Sequence, residues 1–265
     1  LTLQYRSIRT EIDEAIQRVV TSQGFVMGPE VQGLEGEIAA YVGVPHAVGV
    51  ASGTDALLMS LMAYEIGEGD AVLTTPFTFI ASANTISRSG ARPVFVDIEP
   101  DTYNLDPAKL EAALTPRTKA VIVVHLFGQC AHMDRIMDFA RKTGIYVIED
   151  NAQALGADYS GNDGTTMKAG TIGHIGTTSF FPSKNLGAFG DGGALFTRDE
   201  SFGNLLRSLV NHGMSKQRYY YETVGVNSRL DTLQAAILRV KLKHLDEYHA
   251  ARQKAAAWYD KALSG

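Results

Sequence analysis

Residues 71–97 read AVLTTPFTFIASANTISRSGARPVFVD, and their pattern decides the fold. A short apolar run, Ala71–Thr75, is followed by a helical stretch, Ile80–Arg88, and then by a second apolar run, Pro93–Asp97. A strand, a helix and a strand within roughly 30 residues make a right-handed crossover between parallel neighbours. The same alternation extends outward in both directions. Ala47–Ala51, Ala120–Leu126 and Tyr146–Glu149 read as strands, while Asp55–Tyr64, Pro107–Leu114 and Met133–Arg141 read as helices. Thr177–Phe181 and Ala194–Thr197 read as two more strands flanking a Gly-rich segment. The pattern predicts an α/β fold with a mostly parallel sheet covered by helices on both faces.

At the upstream end, Ile8, Ile12, Ile16 and Val19 recur at helical spacing. The breaker Gly28-Pro29 follows, and then a second helical pattern on Leu34, Ile38 and Tyr41. At the downstream end, apolar residues at Leu233, Ile237 and Val240, then Leu242, Leu245 and Tyr248, continue to Leu263 as one long helix or a broken pair. No internal repeat or Pro-rich linker marks a domain boundary.

The 265 residues carry 24 Lys+Arg against 29 Asp+Glu, a net charge of −5, with 45% hydrophobic and 20% charged residues. That is the composition of a folded globular chain, and at this length one large core can bury about three quarters of the unfolded surface. A basic surplus, the electrostatic signature of a nucleic-acid binder, is missing. Cys130 is the single cysteine, so an intramolecular disulfide is excluded, a Cys-based zinc site is not expected, and a reducing, cytoplasmic setting fits. The longest strongly apolar stretch, Ala120–Val124, is far too short to span a bilayer, and no signal-peptide pattern opens the chain. The sequence begins at Leu1 and stops at Ser264-Gly265, directly after a helical stretch.

In a parallel α/β sheet, ligands sit at the carboxyl ends of the strands, so the residues following each strand carry the functional reading. Ser52-Gly53-Thr54-Asp55 opens a helix after the Ala47–Ala51 strand, and its free N–H groups and hydroxyls suit either a phosphate or a plain helix cap. Phe79, after Ala71–Thr75, suits stacking on a planar ligand or ordinary core packing. Asp150 and Gln153 follow an apolar strand. A carboxylate buried there needs a partner, which a cationic ring nitrogen or a helix N-terminus could supply. Lys184 lies in SFFPSKNLG, enclosed by aromatics, Pro and Gly, where desolvation favours a nucleophilic amine able to form a Schiff base. The alternative, a phosphate-binding lysine, lacks the residue order of a P-loop. His125, Cys130, His132 and Asp134 have no common metal spacing, so no metal is expected. Glu149 and Asp150, adjacent on one strand, point to opposite faces and do not form a carboxylate pair.

In order, Gly28-Pro29-Glu30, SGTDAL (52–57), PFTF (76–79), VFVDI (94–98), VHLFGQ (124–129), IEDNAQ (148–153), SFFPSKNLGAFGDGGA (179–194) and GVNSRLDTLQAAIL (225–238) resemble the DegT/StrS family of nucleotide-sugar aminotransferases. The resemblance runs along essentially the whole chain. It implies the aspartate-aminotransferase type of fold, known as fold type I, and pyridoxal 5′-phosphate as cofactor. Lys184 is then the lysine that carries the cofactor covalently and moves the proton. Asp150 bonds the pyridine nitrogen, Gln153 lies near the ring hydroxyl, Phe79 stacks on the ring, and Gly53, Thr54 and Ser179 hold the phosphate. Asn227 is expected to reach the phosphate from the neighbouring subunit of a homodimer with shared active sites. Arg229 is expected to hold a sugar carboxylate, with a helix-start contact to Asp231 or a backbone carbonyl as the alternative.

The resemblance further implies transfer of an amino group from glutamate to a keto group of a nucleotide-linked sugar in surface-polysaccharide or O-antigen synthesis. PSKNLG followed by GDGGA is more similar to members acting at C3 than at C4, with a UDP-linked 2-acetamido-3-keto-hexuronic acid favoured. A family dehydratase would carry His in place of Lys184, and a catalytically silent sensor relative would be expected to lose Lys184 or Asp150. Residues 1–265 are expected to be the large cofactor domain, with 230–265 leading helically into a smaller C-terminal domain that the sequence lacks.

Overall fold

A computed structural model describes residues 1–264. The chain opens with α1 (Thr2–Ser7), α2 (Arg9–Ser22) and α3 (Pro29–Val42), and enters the sheet through β1 (His46–Val50) and α4 (Gly53–Ala63). Gly28-Pro29, read from sequence as a breaker, is the start of α3: Pro29 needs no N–H in the first turn and its fixed φ suits a helix. Gly43 ends that helix in the left-handed conformation, with φ 78° and its N–H bonded to Ala39 O.

The crossover read from residues 71–97 forms β2 (Ala71–Thr74), α5 (Ala81–Arg88) and β3 (Arg92–Phe95), with β2 and β3 parallel. The helix expected over Pro107–Leu114 is instead a 3₁₀ turn, Pro107–Lys109, running into α6 (Leu110–Ala113). Asp106 caps it by accepting the Ala108 N–H at 2.9 Å. Then come β4 (Thr118–Val124), α7 (Met133–Thr143) and β5 (Tyr146–Asp150). A small antiparallel hairpin that the sequence pattern did not announce, β6 (Asp158–Ser160) with β7 (Thr166–Lys168), precedes β8 (Ile175–Ser179) and β9 (Gly193–Thr197). β8 ends two residues earlier than the pattern predicts, because Phe180 leaves the strand and donates its N–H to Gly192 O at 2.7 Å. After α8 (Glu200–Leu209), the last helical stretch is a broken pair, α9 (Thr232–Leu242) and α10 (Leu245–Leu263).

The seven strands lie in the order β1-β9-β8-β5-β4-β2-β3. β9 runs against both its neighbours, and the other pairings are parallel, so the expected mostly parallel sheet is present. Successive strand residues feed opposite faces. Ile122 and Ile148 join a core under α4 and α5, whereas Val121, Val123 and Val147 join a second core under α7. Burying each such aliphatic side chain contributes about 1.5–3 kcal/mol, which is why both faces must be covered. α9 packs against α2 through Ile237 and Val240 and against α3 through Ala235 and Leu238. Because β1, β8, β5, β4 and β2 point the same way, the segments beginning at Ser52, Ser179, Asp150, His125 and Thr75 emerge on one rim.

Candidate active site

That rim holds a cleft of about 410 Å³ lined by residues from all five segments, among them Gly53, Thr54, Phe79, Asp150, Gln153, Ser179 and Lys184. Seven of the nine site residues expected from sequence therefore converge, although they come from positions 53 to 184.

The floor is the N-terminus of α4. Ser52 Oγ accepts the Asp55 N–H at 3.1 Å and Ser52 O accepts the Ala56 N–H at 3.0 Å. The first helical N–H groups, on Gly53 and Thr54, have no intrahelical acceptor, and the positive helix end favours an anion there. Gly53 is required by contact: a Cβ at this position would stand 2.6 Å from Ser179 Cβ and 3.1 Å from Ser179 Cα. The helix start and the end of β8 can meet only because no side chain intervenes. The two readings left open by the sequence are compatible, since Ser52 serves as cap while Gly53, Thr54 and Ser179 line the cleft.

Asp150 ends β5 and is buried, accepting from Ser82 Oγ at 2.9 Å and from the Ala152 N–H at 3.2 Å. It caps no helix, because the chain continues from it in turns. Burial pushes its pKa up, and the Ser82 hydrogen bond, the Ala152 N–H and the Lys184 charge pull the other way. The resulting carboxylate suits a cationic partner in the cleft.

Lys184 sits half-buried in the loop between β8 and β9, with its N–H bonded to Phe181 O at 2.8 Å. That loop is anchored from below. Phe180 is fully buried, Ala188 N–H bonds Phe180 O at 2.7 Å, Phe189 N–H bonds Gln234 Oε1 at 2.9 Å, and Lys241 Nζ donates to Gly187 O. Gln153 Oε1 accepts the Phe127 N–H at 2.7 Å, which fixes its side-chain amide at the cleft wall. Phe79 projects from the rim with 69% exposure, so it is not a core residue.

Asn227 and Arg229 are not in this cleft. Asn227 is exposed and bridges Asn211 by backbone pairing. Arg229 lines a separate cleft of about 450 Å³ with Met27, Glu35 and Arg207, and its Nη1 donates to Asn211 Oδ1 at 3.3 Å. Neither Asp231 nor a backbone carbonyl holds it, as the helix-start alternative had it. The segment carrying both residues is tied to β1, where Ala51 N–H bonds Ser228 O at 3.0 Å and Ser228 Oγ donates to Asp55 at 2.8 Å.

The four residues weighed as metal ligands are dispersed into other roles. His125 Nδ1 accepts the Ala131 N–H at 3.2 Å, so the neutral ring carries its proton on Nε2 and donates it to Glu149 at 2.7 Å. Glu149 also accepts the N–H groups of Gly170, Ile172 and Gly173, on the side of β5 away from Asp150's partners. Cys130 Sγ faces Asp158 O at 3.9 Å, His132 pairs with Glu99, and Asp134 accepts the Asn162 N–H. Among the described residues, no group of three or more His, Cys, Asp or Glu side chains is placed to hold a metal, and no helix is long and apolar enough to cross a membrane.

Sequence reasoning missed Ser82, which is fully buried in the first turn of α5 and bonded to Asp150. It stands 68 residues upstream of its partner, so nothing local marks it.

A helix-end cradle for an anion, a buried carboxylate for a ring cation and a loop lysine together fit a phosphorylated pyridine aldehyde. The DegT/DnrJ/EryC1/StrS aminotransferase family model matches residues 6–265. A UDP-2-acetamido-2-deoxy-3-oxo-D-glucuronate aminotransferase from Pseudomonas aeruginosa is 50% identical over 98% of this chain and 71% of its own length. A protein of Geobacillus stearothermophilus named pleiotropic regulatory protein is 48% identical over 99% of this chain and 69% of its own. The crystal structure of S. venezuelae DesV, in complex with a ketimine intermediate, superposes with a TM-score of 0.95 at 46% identity, covering all of this chain and 70% of that one. The fold is thus the aminotransferase fold inferred from the motifs, and the cofactor is pyridoxal 5′-phosphate. By motif order, by fold and by the cleft that both build, the chain belongs to the DegT/DnrJ/EryC1/StrS aminotransferase family.

Proposed function

We propose that the protein moves the amino group of glutamate to the C3 keto group of a UDP-linked sugar, with Lys184 and Asp150 as its principal catalytic and cofactor-holding residues. The observation that carries this reading is the convergence of Lys184, Asp150 and the Gly53-Thr54 helix end on one cleft. When bound, pyridoxal 5′-phosphate supplies an aldehyde that condenses with amines and a cationic ring that takes up the electron pair left when a proton departs from the amine-bearing carbon.

The chain's residues do the rest. The Gly53 and Thr54 N–H groups and the Thr54 and Ser179 hydroxyls bind the phosphate at the positive end of α4. Asp150 holds a proton on the ring nitrogen by accepting a charge-assisted hydrogen bond. Gln153 lies beside the ring hydroxyl, and Phe79 covers the ring face and excludes water. Lys184 Nζ would hold the cofactor through its aldehyde and, as a free amine, would take the proton from one carbon and deliver it to another. Glutamate leaves as 2-oxoglutarate in the first half, and the keto-sugar is aminated in the second.

We infer a homodimer, because Asn227 and Arg229 lie outside their own cleft and are placed to serve a neighbour's. We assign Asn227 to a partner's phosphate and Arg229 to a sugar carboxylate, which its guanidinium can hold bidentately. The UDP-linked, 3-oxo acceptor follows the name of the P. aeruginosa relative. We place the reaction in the cytoplasm, in bacterial surface-polysaccharide or O-antigen synthesis. Retention of Lys184 and Asp150 separates the protein from a silent sensor, and Lys184 separates it from a dehydratase.

The test is to assay the protein with glutamate against UDP- and dTDP-linked keto-sugars, alongside Lys184→Ala. The parent is expected to form 2-oxoglutarate and an amino-sugar. The variant is expected to lose turnover together with the visible absorbance of the lysine-bound cofactor, and a variant that still transaminates would sink the assignment.

A further inference from the structure

We propose that Ser82, supported by Thr78, is a positioning residue that presents Asp150 to the cofactor ring; this rests on the reading of Asp150 as the ring-nitrogen partner. Ser82 Oγ has one proton. It lies 2.9 Å from Asp150 Oδ2 and 3.4 Å from Phe79 O, so the carboxylate receives it. With that proton committed, the 3.0 Å contact between Thr78 Oγ1 and Ser82 Oγ has one polarity, Thr78 donating. A directed chain therefore runs from Thr78, in the cleft lining, through Ser82 to Asp150.

The chain orients the carboxylate. Ser82 takes Oδ2, and Oδ1 receives only the longer bond from the Ala152 N–H, at 3.2 Å. Each oxygen keeps a lone pair for a further donor, and the shorter Ser82 bond fixes the plane in which they face the cleft. Ser82 is fully buried, so no water replaces its hydroxyl once it is removed. Among the contacts that oppose the upward push of burial on Asp150, the Ser82 hydrogen bond is the largest. Ser82 touches Asp150 and, by this geometry, neither cofactor nor substrate.

The experiment compares Ser82→Ala, Thr78→Val and Asp150→Asn with the parent by two readouts: the dissociation constant of pyridoxal 5′-phosphate for the apoprotein, by fluorescence titration, and the pH midpoint of the bound cofactor's visible absorbance. Ser82→Ala removes one oxygen from a buried site. It is expected to weaken cofactor binding about ten-fold and to raise the midpoint by about one pH unit, because a less firmly protonated ring repels the neighbouring proton on the Lys184 nitrogen less. Thr78→Val should weaken binding about three-fold and raise the midpoint by about half a pH unit. Asp150→Asn should exceed both.

A merely structural Ser82 would lower the melting temperature while leaving the midpoint in place. That result, with Asp150→Asn still impaired, overturns the role of Ser82 and leaves Asp150's intact. An unaffected Asp150→Asn overturns the underlying reading itself. Should Ser82→Ala fail to fold, Thr78→Val decides alone, and an unmoved midpoint in that variant refutes the proposal.

Discussion

Lys241→Met tests whether the loop that carries Lys184 is anchored by a buried ammonium. Lys241 is 2% exposed on α9, donates to Gly187 O and faces the Phe189 ring at 5.6 Å. Burial, and then the Arg252 charge, bring its pKa down from 10.5 to about 8. At about 1.36 kcal/mol per unit, that difference amounts to roughly 3 kcal/mol. The sign follows from proton counting. Between pH 8 and 10.5 the unfolded chain binds more protons at this side chain than the folded one does, so stability rises with pH through that window, and the full cost of burying the charge is present below it.

Urea unfolding at about pH 7 and about pH 9.5 should therefore show the parent gaining about 2 kcal/mol relative to the methionine variant. Comparing the two proteins is essential, because Cys130, whose thiol burial pushes up to about 12, destabilises both as pH rises and cancels in the difference. Parallel pH profiles, within about 0.5 kcal/mol, would show that Lys241 is not titrating as a buried amine and would refute the reasoning.

Gly53→Ala is expected to force the start of α4 away from Ser179, costing about 1–3 kcal/mol in stability and weakening cofactor binding at least ten-fold, since the N–H groups of the cradle move with the helix. Equilibrium dialysis against pyridoxal 5′-phosphate measures this, and unchanged affinity would mean that the close contact does not shape the cradle. Glu149→Gln sets an amide NH₂ among four groups that now donate to a carboxylate, and should lower stability by about 3 kcal/mol in chemical denaturation. A variant as stable as the parent would mean that Glu149 is not the acceptor joining β4, β5 and the 170–173 turn.

Much of the site was legible before the fold was known. Gly53, Thr54, Asp150 and Lys184 each follow a strand that its own β-branched run reveals, and parallel strands deliver the residues after them to a common rim, whereas Ser179, the last residue of β8, was indicated by the resemblance alone. Phe79 stayed ambiguous because an aromatic beside a strand looks the same whether it packs inward or faces a cleft; its exposure settles that. Arg229 stayed ambiguous for a different reason. Its contact, Asn211, comes from a segment 18 residues earlier, and the bond between them depends on how the 225–231 segment folds back on β1.

Local sequence periodicity determined the fold class by itself, since strand and helix periods arise within a few residues and the parallel crossover has a fixed hand. It also marked the segments that follow the strands, although the last residue of β8 was set by the Phe180 contact with Gly192. Tertiary structure alone decided what those side chains meet. Ser82 touches Asp150, His125 gives its proton to Glu149, and Lys241 grips the loop of Lys184 across 54 residues. Such contacts arise from strand order and register, which are set by the packing of whole faces against one another, so no short stretch of sequence records them.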